Sequence, residues 1–196
     1  MVRKIRRVVT GFQENGRSTF IADDTLSPMG EDPNWPTRGV TSIWNIAKLP
    51  TSNADNVLPE THLPPMVLPM PGGMTFIIMH IPPESELAQM PAEQRARASV
   101  PVARTFDGAY ELDTTQGYYM HGTNTLDMCV ILKGEVTFLV DDGEVTLKEF
   151  DTIIDRGANH GWVNRGTETC IVACAVVDAE AVDRSIYNNT MVKSEA

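Results

Sequence analysis

The sequence predicts an all-β domain, a sandwich or barrel, on three observations. Short runs of alternating or β-branched residues dominate, turn residues punctuate them at close intervals, and only two segments read as helix. With 196 residues, 42% hydrophobic and 21% charged, the chain has ample material for one buried core. We therefore expect a single domain over 1–196, with 1–109 as N-terminal decoration and outer strands, 110–178 as the barrel core and 179–196 as a tail.

Taken in order, Arg6–Thr10 and Ser18–Ala22 are strand candidates around Glu14-Asn15-Gly16-Arg17, where the Asn-Gly pair tolerates positive φ and predicts a hairpin. Thr41–Ala47 is a further strand. Residues 50–73 hold six of the thirteen prolines plus Gly72-Gly73, too many breaks for a ladder or helix, so this stretch is expected to be irregular. Thr75–Ile81 is a β-rich run stopped by Pro82-Pro83. Ser85–Ala98, rich in Ala, Glu, Gln and Arg, is the helical candidate, either two short pieces or a helix starting at Pro91. From Tyr110 strands crowd together: 110–113, 117–123, 127–133, 135–140, 144–147, 151–155, 160–164 and 169–177. Gly134 closes one of them with a turn, Asp141-Asp142-Gly143 marks a hairpin, and Ala179–Tyr187 reads as a short terminal helix.

Sixteen Lys+Arg against twenty-six Asp+Glu leave a net charge of −10, which repels phosphate backbones and argues against nucleic-acid binding. The basic cluster Arg3, Lys4, Arg6 and Arg7 is too short to reverse that. No run approaches the roughly eighteen apolar residues of a membrane span, so no membrane partner is expected. The basic start passes into Gly11 and a polar turn, without the long apolar region of a secretory signal. Cys129, Cys170 and Cys174 are odd in number, lack CxxC spacing and lie in apolar runs. They are expected as small buried hydrophobes in a reduced, cytoplasmic protein without a disulfide framework.

The informative region is 117–164. Strand alternation puts Tyr119, His121 and Thr123 on one face, Asp127, Cys129 and Ile131 on another, and His160, Trp162 and Asn164 on a third. This region resembles the cupins, small jelly-roll barrels with two signature motifs. Their first motif runs His-x-His, three or four residues, Glu, six residues, Gly; here it is His121-x-Thr123, three residues, Asp127, six residues, Gly134. The second ends Gly-x-x-His-x-x-x-Asn, matched by Gly157, His160 and Asn164, with Arg156 where a proline is usual. The variant is also similar to a His-x-Thr-x-Thr-x-Asp and Arg-Gly-x-x-His-x-Trp subgroup of cupin-domain oxidoreductases, known in bacteria and in fungal polyketide gene clusters.

The resemblance implies a jelly-roll β-barrel with N-terminal strand and loop decoration and one or two short helices. It implies that His121, Asp127 and His160 project into the barrel mouth as a facial set for a divalent metal, Fe, Mn, Ni or Zn, with no nucleotide cofactor. Thr123 would face that metal without being a good ligand, and Asp127 is one methylene shorter than the usual Glu. The expected function is that of a small-molecule enzyme, an oxygenase-like oxidoreductase on an aromatic or polyketide-like substrate. Two alternatives stay open. In one, His121 or His160 abstracts a proton while Asp127 orients it, giving a metal-free isomerase or dehydratase. In the other, the barrel binds a ligand without catalysis. A homodimer is expected, since small barrels leave sheet edges to cover.

Other residues carry paired readings. Tyr119 and Thr123 are candidates to line the mouth, and Trp162 is either a stacking wall for substrate or core. Arg156 either grips a carboxylate or phenolate or makes a surface ion pair with Asp155 or Asp151. Asp127 competes with a role as a turn cap. His80 alternates with Phe76 and Ile78, which makes it a spare inward ligand, whereas His62 reads as a loop residue. Met66, Met70, Met74 and Met79 suit a pocket wall or a second subunit. Asp141, Asp142, Glu144 and Glu149 read as a solvated hairpin surface.

Overall fold

Period-2 alternation dictates which strand faces meet, and a computed structural model shows the result for residues 2–28, 37–53, 58, 67–91, 111–113 and 120–181. The N-terminal hairpin pairs β1 (Ile5–Phe12) with β2 (Ser18–Leu26), and Gly16 takes the predicted positive φ of 78° in its turn. One five-stranded sheet has the order β10 (Thr152–Asp155), β7 (Thr125–Lys133), β12 (Cys170–Asp178), β4 (Met74–Ile81), β3 (Gly39–Ile46). The other has the order β5 (Glu111–Asp113), β6 (Met120–Gly122), β11 (His160–Val163), β8 (Glu135–Val140), β9 (Gly143–Lys148). All of these pairs are antiparallel.

The core lies between the two five-stranded sheets. Ile77, Cys129, Ile131, Val172, Cys174 and Val176 from the first meet Val136, Phe138 and Leu147 from the second. This is the jelly roll expected. The basic N-terminal cluster serves the fold: Arg6 pairs with Asp23, and Arg7 pairs with Asp24. Buried Arg7 also donates from Nη1 to the Ile43 carbonyl at 3.2 Å and lies 5.9 Å from the Trp44 ring, which docks the hairpin on β3. Buried Asn164 clamps the barrel, its Nδ2 donating to the carbonyls of Ile81 and Glu168 at 2.8 Å each.

One expectation needs correction and one is met in part: the described helix is α1 (Glu84–Gln89), a short piece ahead of Pro91. Pro82-Pro83 precede it and Glu84 and Glu86 fill its acidic first turn, so the start signals sit earlier than the alanine content suggests. Positions 92–98 and 182–187 lie outside the described residues. Cys129 and Cys174 are buried as expected, but they stand opposite each other on β7 and β12 and form a disulfide, leaving Cys170 as the free buried cysteine. Forty-five residues separate them, so local spacing carries no sign of the pairing. Among the described residues no helix is long and apolar enough to cross a membrane.

His80 also differs from its inward reading. Its neighbours Ile77 and Met79 face the core, so His80 points to the other face of β4, opposite Gly39. It is 4% exposed, and neither ring nitrogen has a hydrogen-bond partner. Burial, with the nearby charge of Arg3, holds its pKa below the ordinary 6.5. The neutral ring is thus favoured by folding, and stability present above pH 6.5 is lost as pH falls through the lower folded value. Urea titrations across that range are expected to show wild type losing stability on acidification relative to His80→Leu; parallel curves would contradict this.

Candidate functional site

Four strand positions converge at one end of the barrel. On the first sheet Asp155 of β10 stands directly opposite Asp127 of β7, and on the second His160 of β11 stands opposite His121 of β6. Asp127 lies on the core face with Cys129 and Ile131, as its spacing predicts. His121, Asp155 and His160 are each no more than 5% exposed.

The donor atoms of Asp127, Asp155 and His160 all lie within 4.8 Å of one another. His121 joins through its ring, whose centroid is 4.3 Å from that of His160 at a tilt of 50°. Phe138 stacks on His160 at 5.1 Å and 13°, which helps to fix the imidazole plane. His160 Nδ1 lies 3.0 Å from the Ala158 carbonyl and 2.8 Å from Asp155 Oδ2. Both neighbours are acceptors, so Nδ1 keeps a proton in either form of the ring and Nε2 is the nitrogen that gains or gives up the other. The ring N–H is directed at Ala158, and the Oδ2 contact is electrostatic rather than an aligned hydrogen bond. The Ala158 amide donates to Asp155 Oδ1 at 2.9 Å, which holds the carboxylate in place.

The electrostatics differ sharply between the two acids. Burial pushes the Asp127 carboxyl up to about 6, against the downward pull of the Thr125 hydroxyl and the His160 charge, while the Asp155 charge adds to the rise. Its Oδ1 is buried with no hydrogen-bond partner. Burial also acts upward on Asp155, but the contact with His160, its charge and the Ala158 amide together hold that carboxyl below its ordinary range. For His160 burial acts downward, and the contact with Asp155 and its charge outweigh it, leaving the imidazole above its ordinary value. Asp155 and His160 thus form a charged pair, and Asp127 is the acid poised near neutrality.

The remaining sequence candidates separate. Thr123 is buried, its Oγ1 2.7 Å from Thr125 Oγ1. Trp162 packs on the core, edge-on to Phe138 at 4.7 Å and 81°, in line with its core reading. Arg156 is exposed and makes no ion pair among the described residues, since Asp155 is engaged inside and Asp151 Oδ2 accepts from the Lys148 amide at 2.8 Å. Asp141 and Glu144 are exposed, accepting from Asn159 and Arg165 at the surface. Tyr119 and His62 lie outside the described residues. Asp155 itself was read only as a surface partner for Arg156. The signal for more was its spacing two residues after Ile153, which packs on the core.

Gly157 fixes the turn between Asp155 and His160. Its φ is 71°, and a Cβ built there would stand 2.8 Å from the Thr123 carbonyl oxygen. Gly157→Ala is therefore expected to cost about 2 kcal/mol of stability, read as a lower urea midpoint at unchanged slope. An unaltered midpoint would show that the turn relaxes freely.

Residues 111–176, which contain all four cluster residues, match the family model described as Cupin domain. Two curated proteins of Diaporthe leptostromiformis, phomopsin biosynthesis cluster protein C' and phomopsin biosynthesis cluster protein D, are each 45% identical over 47 residues, or 24% of this chain and 25% of the relative. The match thus spans about a quarter of the length of these relatives. Among solved structures, the Schizosaccharomyces pombe Cnp3 cupin domain is 9% identical with a TM-score of 0.44, covering 97% of this chain and 96% of that one.

Proposed function

Residues 111–176 being a cupin domain, we propose that the chain is a small-molecule oxidoreductase whose site holds a divalent cation on Asp127, His160 and His121. The observation that carries this is the convergence of Asp127 and Asp155 with His160 within 4.8 Å, around a buried Asp127 oxygen that has no hydrogen-bond partner among the described residues. A cation relieves that orphaned acceptor, and carboxylate plus imidazole donors suit Fe(II), Mn(II), Ni(II) or Zn(II). When bound, such an ion supplies Lewis acidity and, for iron or manganese, one-electron chemistry.

The protein's own groups do the positioning. Asp155 and Ala158 hold the Nδ1 proton of His160 and so leave Nε2 as the nitrogen for a cation, the usual outer support of a ligand imidazole. Thr123 replaces a ligand by a hydroxyl turned to Thr125, which leaves a position open for substrate. Asp127, ionised only above about pH 6, exchanges its proton for the cation, so binding strengthens as pH rises through that value. The names of the fungal relatives, proteins of a phomopsin biosynthesis cluster, support a substrate of the biosynthetic kind, and the proposal takes it as aromatic or polyketide-like. A homodimer is part of the proposal, supported by the exposed Val8 and Phe20 on the N-terminal hairpin.

One observation favours a second reading. A charged Asp155–His160 pair facing an acid near pH 6 is also equipped for general acid–base chemistry, the work of an isomerase or dehydratase. Calorimetric titration of chelated protein with Fe(II), Mn(II), Ni(II) and Zn(II) separates the two. The expected result is one cation per chain, lost in His160→Ala. Absence of uptake for every ion overturns the metal reading, and turnover surviving chelation establishes the second.

A further inference from the structure

A cleft of about 240 Å³ opens beside the cluster and is lined by Thr123, Thr125, Leu126, Arg156, Ala179 and Glu180, among others. Its floor is the hydroxyl pair of Thr123 and Thr125, 2.7 Å apart. Thr125 precedes Asp127 by two residues on the same face of β7, which makes this hydroxyl the neighbour of the buried acid, while Leu126 lies on the other face of the strand. Leu126 and Ala179 supply an apolar wall, held by the Ala179 amide donating to the Asn124 carbonyl at 3.0 Å. Arg156 is the cleft's cation, and it follows directly on the cluster residue Asp155. The backbone beside it is locked, because Gly157 packs against the Thr123 carbonyl without room for a Cβ. In a chain of net charge −10, this guanidinium has no ion pair among the described residues.

We propose that the substrate is a carboxylate with an apolar body, its anion held by Arg156 and its body laid along Leu126 and Ala179. A planar guanidinium grips a carboxylate through two parallel N–H donors, and the two hydroxyls of the floor satisfy a polar group that reaches them. Glu180, on the same cleft, opposes the anion and so limits its affinity. This rests on the cluster being the reactive site, as proposed above, but its test does not require that chemistry.

The probe is benzoate, with neutral benzamide of the same shape as control, titrated into the chelated full-length protein and followed by backbone amide shifts. Benzoate is expected to shift the amides of Asn124, Gly157 and Ala179 saturably, and benzamide is not. Arg156→Gln is expected to weaken benzoate by about tenfold, the value of one charged hydrogen-bonding contact. Glu180→Gln is expected to tighten it. Since Arg156 is exposed, unchanged shifts elsewhere confirm that the variant is folded. Equal responses to benzoate and benzamide, an Arg156→Gln titration matching wild type, or no saturable shift at millimolar benzoate each overturn the proposal. Cation uptake plays no part in this readout, so benzoate binding without metal binding sinks the proposed oxidoreductase and leaves the carboxylate site standing, and the converse pattern does the reverse.

Discussion

Asp127→Asn is expected to make the metal-free protein more stable in mildly alkaline buffer and to abolish the cation uptake proposed above. The wild-type carboxyl has its ordinary value of 3.8 raised to about 6 in the folded chain. An acid with a raised folded pKa favours the folded state while protonated, and that advantage is lost as pH rises through about 6. Above that value the folded barrel carries an ionised, buried carboxylate whose Oδ1 has no hydrogen-bond partner among the described residues. A rise of this size corresponds to about 3 kcal/mol at 1.36 kcal/mol per unit, and asparagine keeps the shape without the charge. Urea unfolding of both proteins after chelation is expected to give nearly equal stability near pH 4, a gap in favour of the variant that opens as pH rises to about 6, and a constant gap from there toward pH 8. Wild type matching or exceeding Asp127→Asn at the higher pH would mean that the carboxylate is satisfied in the apoprotein, and the orphaned-acceptor argument would fall. A variant that is firmer yet cannot load a cation is the trade expected where function keeps a group in an unfavourable place.

Removal of Asp155 works in the opposite direction. Asp155→Ala leaves a buried imidazole whose charge has lost its nearest partner, and breaking a buried pair from one side costs about 3 kcal/mol or more. The pH range follows from the two shifts. Asp155 is lowered, so its stabilising part is lost as pH falls below the ordinary 3.8, and His160 is raised, so its part is lost as pH rises through a folded value above 6.5. The deficit of Asp155→Ala is therefore largest between these limits and narrows on both sides. Cation affinity is expected to fall by about 10- to 100-fold, because the ring loses the support that sets its tautomer and plane. A deficit that is flat with pH would show that the carboxylate only fills space, and unchanged cation affinity would remove it from the site altogether.

The cluster residues differ in how legible they were. His121, Asp127 and His160 could be singled out because motif spacing survives the Thr123 substitution, and alternation put Asp127 on the core side of its strand. Asp155 could not. It ends a four-residue strand beside Arg156, and the local pattern fits a surface ion pair as well as a buried one. Only the register that sets it opposite Asp127 and near His160 makes it the group controlling both. Cys129 and Cys174 follow the same rule: each reads locally as a buried hydrophobe, and the disulfide exists because β7 and β12 are neighbours. His80 shows the reverse error, since its alternation was read correctly but the covered face of β4 was mistaken for the barrel interior.

By itself the sequence determined most of the strands, the hairpin turns and which residues share one face of a strand. Those depend on near-neighbour sterics and a two-residue period, which any short window contains. The tertiary structure alone decided which inward faces oppose one another. Strand order and register are set by how two whole sheets close on a shared core, so an acid at 155 meets one at 127 and an imidazole at 160 through contacts that no local pattern encodes.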